Sequence, residues 1–78
     1  MNEIQEKIKD VMSIVFNIDS GSITENSSPD DIEEWDSLRH LNLAVALEEA
    51  FKIELSEEDI MELMNFRLIE LKIKEKTA

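Results

Sequence analysis

Ser37 stands between Asp36 and a strongly apolar run, in the stretch EEWDSLRHLNLAVAL of residues 33–47. A serine hydroxyl can act there as a nucleophile, as a helix cap, or as the point where a group is attached. A nucleophile needs a base within reach, a third group to orient that base and an oxyanion hole. The one histidine, His40, lies three residues on along the same helix. No orienting partner is evident and no pocket is expected in so short a chain, so catalysis by this pair is set aside. His40 falls beside the core stripe of its helix, which suits a partly buried, hydrogen-bonded imidazole. As an N-cap, Ser37 would satisfy first-turn amides, worth ~1 kcal/mol. As an attachment site it would place a phosphodiester's negative charge at the positive end of a helix, favoured by roughly 0.3–1 kcal/mol. Capping and attachment are compatible, and position alone does not separate them.

The elements that must position this serine are helical. One glycine and one proline in 78 residues disfavour a turn-rich β-fold. Ile4, Ile8, Val11, Met12 and Val15 recur on one helical face, predicting a first helix that ends near Phe16. The polar stretch NIDSGSITENSSP is a loop, pinned to the core by Ile18 and Ile23. SPDDIEEW suits a short helical turn, with Ser28 capping, Pro29 first and Asp30 and Asp31 at the positive end. A long helix runs from about Ser37 to Lys52. Ser56, with Asp59 three residues on, opens a short third helix through a capping-box pattern, continued by Ile60, Leu63 and Met64. Asn65 either sits inside that helix or caps a last one containing Phe66, Leu68, Ile69, Leu71 and Ile73. Lys72, Lys74 and Lys76 suit its negative end. The expected fold is all-α: a small four-helix bundle of three longer helices and a short third, with a long loop between the first two, forming a single domain over 1–78.

Charge narrows the partners. The net charge is −11, and residues 19–62 hold fourteen acidic side chains against two basic ones. Such a surface repels nucleic acid and anionic lipid and attracts basic protein patches. The chain has no cysteine, which excludes disulfides and thiolate metal sites. The N-terminal stretch does not resemble a signal peptide and no apolar run approaches the ~18 residues of a membrane span, so a cytoplasmic protein is expected. The loop around Gly21 and Ile23 superficially matches an EF-hand, but the alignment puts Phe16 and Ile18 at ligand positions and Ser27 where glutamate belongs. No specific metal site is expected.

The Ser37–Lys52 helix has two apolar faces. Leu43, Leu47, Ala50 and Phe51 form a core stripe, and Leu38, Leu41 and Val45 a second one roughly opposite. A helix in a chain this small seldom buries both sides. The second stripe, rimmed by Asn42, Glu48 and Glu49, therefore suits a partner with an apolar groove and a basic edge.

DSLRHLNLAVALEEAFKIEL resembles the acyl carrier proteins and the related peptidyl carrier domains. The shared pattern comprises Asp36, Ser37, Leu38, Leu41, Leu43, Leu47, Glu48, Glu49, Phe51, Ile53 and Leu55. The resemblance covers essentially the whole chain and is firmest from Ser28 to Ile60. It implies a carrier and not an enzyme, with Ser37 receiving 4′-phosphopantetheine from coenzyme A. The arm would hold acyl or aminoacyl groups as thioesters, and its terminal thiol would account for the missing cysteine.

The same resemblance implies a recognition surface. Asp36 and Leu38 would guide the phosphopantetheinyl transferase. Leu41, Val45, Glu48 and Glu49 would form the partner-binding face, extended by Glu54, Leu55, Glu57 and Glu58. The implied partners are that transferase, an acyl- or aminoacyl-loading ligase and downstream synthase or transferase enzymes with basic patches, served by a monomeric carrier. The cargo, whether fatty acyl, polyketide, aminoacyl or D-alanyl, depends on those partners. Val45, Ala46 and Leu47 would permit a shallow apolar channel for it.

Two departures from the fatty-acid carriers point to a specialised pathway. Glu34 and Trp35 stand where small residues are usual before Asp-Ser-Leu, and Arg39 and Asn42 where acids are usual after it. The competing expectation is an unmodified acidic helical adaptor that binds a basic partner through Leu38, Leu41 and Val45, with Ser37 a plain cap.

Overall fold

The computed structural model describes residues 3–77. Four α-helices follow one another: α1 (Glu3–Phe16), α2 (Ser37–Phe51), α3 (Glu57–Met61) and α4 (Phe66–Thr77), with one turn of 3₁₀ helix at Ser20–Ser22 in the first loop. No strand occurs among the described residues. The four-helix, all-α expectation and its long first loop are thus met.

The core is assembled from one stripe of each longer helix. Ile8, Met12 and Phe16, spaced by four along α1, meet Leu43 and Leu47 of α2 and Phe66, Ile69 and Ile73 of α4, all essentially inaccessible to solvent. Ile23 closes the core from the loop and Ile18 packs partly buried against it, as their apolar character in a polar stretch required. The α1 helix stops where Asn17 turns left-handed (φ 55°) and the Ile18 amide reaches back to the Ser13 carbonyl at 3.1 Å. Asparagine tolerates that region better than most side chains. Lys52 ends α2 in the same way (φ 55°), its N–H bonded to the Glu48 carbonyl.

SPDDIEEW forms a single helical turn at Ser28–Ile32 and no helix beyond it. The amides of Asp31 and Ile32 both return to the Ser28 carbonyl and Trp35 to that of Ile32, so the segment is a succession of turns. The Ser28 hydroxyl bonds the Asp31 carboxylate at 3.2 Å instead of capping an amide. The bend drives Ile32 and Trp35 into the core, and burying both outweighs propagating the helix. Asn65 is a cap: its Oδ1 accepts from the Leu68 amide at 2.8 Å, which starts α4 at Phe66.

The basic end of the chain folds onto the acidic middle. Ser56 and Asp59 form the expected capping box of α3. Asp59 is also paired with Lys72 at 3.1 Å and Lys76 at 3.0 Å, and Lys72 reaches Glu62 at 2.7 Å. The Ser56 amide first, then Lys76 and Lys72, hold the Asp59 carboxyl well below the usual carboxylate range, while Glu62 and Asp59 push the Lys72 ammonium up. A depressed carboxyl stabilises the fold above its unfolded value of 3.8, and that contribution is lost as pH falls through the folded value. A raised ammonium stabilises below its unfolded value of 10.5, and that contribution is lost as pH rises through the folded one. Melting temperature is therefore expected to fall on the acid side below pH ~4. Lys72→Met should lower it at neutral pH, by an amount that shrinks on the acid side as Asp59 protonates and on the alkaline side above pH ~10.5, where the wild-type ammonium begins to lose its contribution, and a pH profile identical to wild type would contradict this role.

Candidate functional site

Ser37 is the first residue of α2 and is exposed. It is not the cap. Asp36, in extended conformation, accepts the Arg39 amide on its Oδ1 at 2.8 Å, and the first intrahelical bond runs from the His40 amide to the Asp36 carbonyl at 2.8 Å. A carboxylate is the stronger acceptor and the charge that a helix N-terminus prefers, so it takes the position one residue before the serine. The Ser37 hydroxyl consequently makes no hydrogen bond among the described residues, and no bond of these residues uses the amides of Ser37 or Leu38. An exposed, unengaged hydroxyl beside two open amides can accept a phosphoryl group whose oxygens those amides then face.

The charge beside the serine is balanced locally. Arg39 pairs with Asp36 at 3.1 Å and its guanidinium reaches toward the Glu34 carbonyl at 3.4 Å. The cap is thus neutralised where a second negative group would otherwise be repelled. His40 is not a base for Ser37, because both its ring nitrogens are engaged. The Trp35 indole N–H, which can only donate, binds His40 Nδ1 at 2.9 Å, so Nε2 carries the hydrogen and donates to the Ile60 carbonyl at 2.8 Å. Trp35 in turn stacks near His40 and packs on Phe16 with ring centroids 5.2 Å apart. The expectation of a partly buried, hydrogen-bonded histidine is met, and Trp35 and Ile60 were its unforeseen partners.

A groove of about 410 Å³ opens beside Ser37. Its floor is Trp35, His40, Ile60 and the fully buried Leu63, and exposed Leu41, Met61 and Met64 form the rim. Pro29, Asp36 and Ser37 complete its lining. This is not the channel expected at Val45, Ala46 and Leu47. Leu47 is wholly buried, Val45 is exposed, and Ala46 lines a separate shallow groove with Val11 and Ile14 of α1. Consecutive positions on a helix point about 100° apart and do not share a lining. The third helix ends at Met61, short of the expected Leu63 and Met64, and both methionines are exposed.

The second stripe of α2 is uncovered: Leu38 is 69 % exposed, Leu41 56 % and Val45 54 %. Asp36, Glu49, Glu54, Glu57 and Glu58 are also exposed. Leu55 departs from the expected face, because it is packed in the core. Glu48 is half-buried and its Oε2 accepts the Leu55 amide at 2.8 Å, so it anchors the turn after α2 from within. A short α3 needs its approach fixed by such contacts, which removes this pair from the open surface. Among the described residues no helix is long and apolar enough to cross a membrane, and no cluster of metal-ligating side chains occurs.

Comparison with known proteins gives this site its context. Residues 6–70 match the family model for the phosphopantetheine attachment site. The chain is 42 % identical over 59 residues to the acyl carrier protein of Buchnera aphidicola subsp. Schizaphis graminum, covering 76 % of this chain and 75 % of that one. The solution structure of holo acyl carrier protein from Geobacter metallireducens superimposes with a TM-score of 0.84 at 31 % identity, over 96 % of this chain and 86 % of that one. The chain therefore belongs to the phosphopantetheine-binding family of the acyl carrier proteins, which carry a covalent 4′-phosphopantetheine and are carriers, not enzymes.

Proposed function

We propose that Ser37 is the attachment point and that the protein is a dedicated carrier of a specialised biosynthetic pathway. The observation that carries the first claim is the unengaged Ser37 hydroxyl at the start of α2, left open because Asp36 caps the helix in its place. Once bound, the arm supplies a terminal thiol on which an acyl group is held as a thioester. The protein's own residues do the rest. The Ser37 and Leu38 amides face the phosphodiester, Arg39 offsets the neighbouring Asp36 charge, and the α2 stripe receives partners.

The partners proposed for that stripe are a phosphopantetheinyl transferase, a loading ligase and downstream synthases or transferases with basic patches, meeting a monomeric carrier in the cytoplasm. Leu38, Leu41 and Val45 supply apolar contact, and Asp36, Glu49, Glu54, Glu57 and Glu58 supply charge. Glu48 and Leu55 act indirectly, by holding the turn between α2 and α3.

Arg39 supports the specialised assignment. A cation fixed against Asp36 on this face disfavours enzymes whose docking sites are themselves basic. Arg39→Glu is expected to raise the rate at which fatty-acid synthase components act on the loaded carrier by roughly tenfold, about 1.4 kcal/mol. An unchanged rate in that assay would contradict the assignment.

A further inference from the structure

We propose that His40 is a positioning residue for the modification of Ser37: with Trp35 it staples the start of α2, and protonation of its ring releases the staple and weakens presentation of the serine to the transferase. This rests on Ser37 being the attachment point.

The staple follows from the register of the helix. Asp36 caps α2, so Trp35 is the residue before the cap and His40 the fourth residue of the helix. Side chains at these two positions meet across the first turn and fix the angle at which the chain enters, ordinarily through apolar contact. Here the contact includes a hydrogen bond, donated by Trp35 Nε1 to His40 Nδ1 at 2.9 Å, between rings stacked with centroids 6.1 Å apart. The residues it spans include Asp36 and Ser37. Trp35 is anchored by burial against Phe16 of α1, and His40 by its Nε2 bond to the Ile60 carbonyl of α3. The serine hydroxyl is thus free while the backbone that carries it is held.

The Trp35–His40 bond exists in one charge state only. An indole N–H donates and cannot accept, and a neutral imidazole offers Nδ1 as the acceptor. A protonated ring carries hydrogen on both nitrogens, which sets two donors against each other at that position. The bond from Nε2 to Ile60 survives and gains strength from the charge. Protonation therefore moves the hold of His40 from the connecting segment to α3. Histidine is the side chain whose charge ordinarily changes between about pH 5 and 8. On α2, Asp36 shares the groove with His40 and is paired with Arg39. On α3, Asp59 adjoins Ile60 and is paired with Lys72 and Lys76. On the connecting segment, Glu34 adjoins Trp35 and its carbonyl receives the Arg39 guanidinium. From α1 the uncharged Phe16 stands behind Trp35. Asp36 and Asp59 have cations of their own, so the indole is the group that answers to the charge on His40.

The chain has one tryptophan and one histidine, so each gives a single, unambiguous set of ring resonances. As pH falls from 8 to 5 the His40 ring protons should titrate, and the Trp35 indole N–H should shift and lose exchange protection with the same midpoint. Phosphopantetheinylation by a broad-specificity transferase is then followed by intact mass over the same range, for wild type and for His40→Gln. The glutamine amide can accept from Trp35 and donate to Ile60 and never protonates, and dividing by its rate removes the pH dependence of the transferase itself. The ratio of wild-type to variant kcat/KM should fall roughly two- to tenfold from pH 8 to pH 5, the weight of one hydrogen bond, and through KM. Trp35→Phe, which keeps a ring and lacks the N–H, should show no such fall. An indole resonance that stays still while His40 titrates, an imidazole that remains neutral down to pH 5, or a flat ratio would overturn the proposal. If His40→Gln does not fold, Trp35→Phe serves as the reference, and if neither folds the wild-type titration decides alone. A folded wild type that gains no mass at any pH overturns the attachment site itself, whereas a modified chain with a flat ratio overturns only the staple.

Discussion

Phe66→Ala is expected to lower the unfolding free energy by about 3–5 kcal/mol, the cost of emptying a fully buried aromatic site that cannot collapse. Phe66 is wholly inaccessible and opens α4, and its amide bonds the Ser27 carbonyl at 2.9 Å. Ser27 is itself buried, with its hydroxyl accepting the Thr24 amide at 2.8 Å. One residue thus ties the start of the last helix to the middle of the long loop through its amide and fills the core with its ring. A domain of this size has roughly 4–12 kcal/mol in all, at ~0.05–0.15 per residue. The variant should therefore sit near its folding threshold. Urea unfolding followed by circular dichroism measures this, and a loss below about 1 kcal/mol, the typical effect of an ordinary substitution, would show that the core is not organised around Phe66.

The second large effect is on recognition and leaves stability alone. Leu38→Ala with Leu41→Ala should reduce kcat/KM for phosphopantetheinylation about 10- to 100-fold, mostly through KM, with stability within roughly 0.5 kcal/mol of wild type. Both side chains are more than half exposed, so their removal opens no cavity. Leu43, two residues beyond Leu41, is fully buried, and Leu43→Ala should show the reverse pattern of a stability loss. Unchanged transferase kinetics for the double variant would place the docking surface elsewhere on the molecule.

The helices were legible because each carries its own periodicity and punctuation. The recurrence of Ile4, Ile8, Val11, Met12 and Val15 marked the inward face of α1, on which Ile8 and Met12 are fully buried and the other three partly so, and Ser56 with Asp59 specified the start of α3. The two-faced character of α2 was equally readable, since a stripe that nothing remains to cover must stay outside. Failures arose where long-range packing competed with local preference. Ser28-Pro29-Asp30 has the grammar of a helix start, yet burying Ile32 and Trp35 bends the segment into turns. Ser37 and Asp36 are both good caps, and only the backbone conformation of Asp36 decided between them. Leu55 shares the acidic surroundings of the docking face but packs into the core, its backbone amide held by the Glu48 carboxylate seven residues away, a contact that no periodicity encodes. The groove was also invisible, because it joins Trp35, His40, Ile60 and Met64 from three separate segments.

The central claim is that the Ser37 hydroxyl, spared from capping by Asp36, carries the phosphopantetheine arm. Intact-mass spectrometry after incubation with coenzyme A and a broad-specificity phosphopantetheinyl transferase tests it most directly, with Ser37→Ala alongside. Because Asp36 keeps the cap, the alanine variant is expected to remain folded, which circular dichroism can check on the same sample. The wild type should gain the mass of one phosphopantetheine and Ser37→Ala none. A folded wild type that gains nothing from several transferases, or an alanine variant that is still modified, would contradict the account.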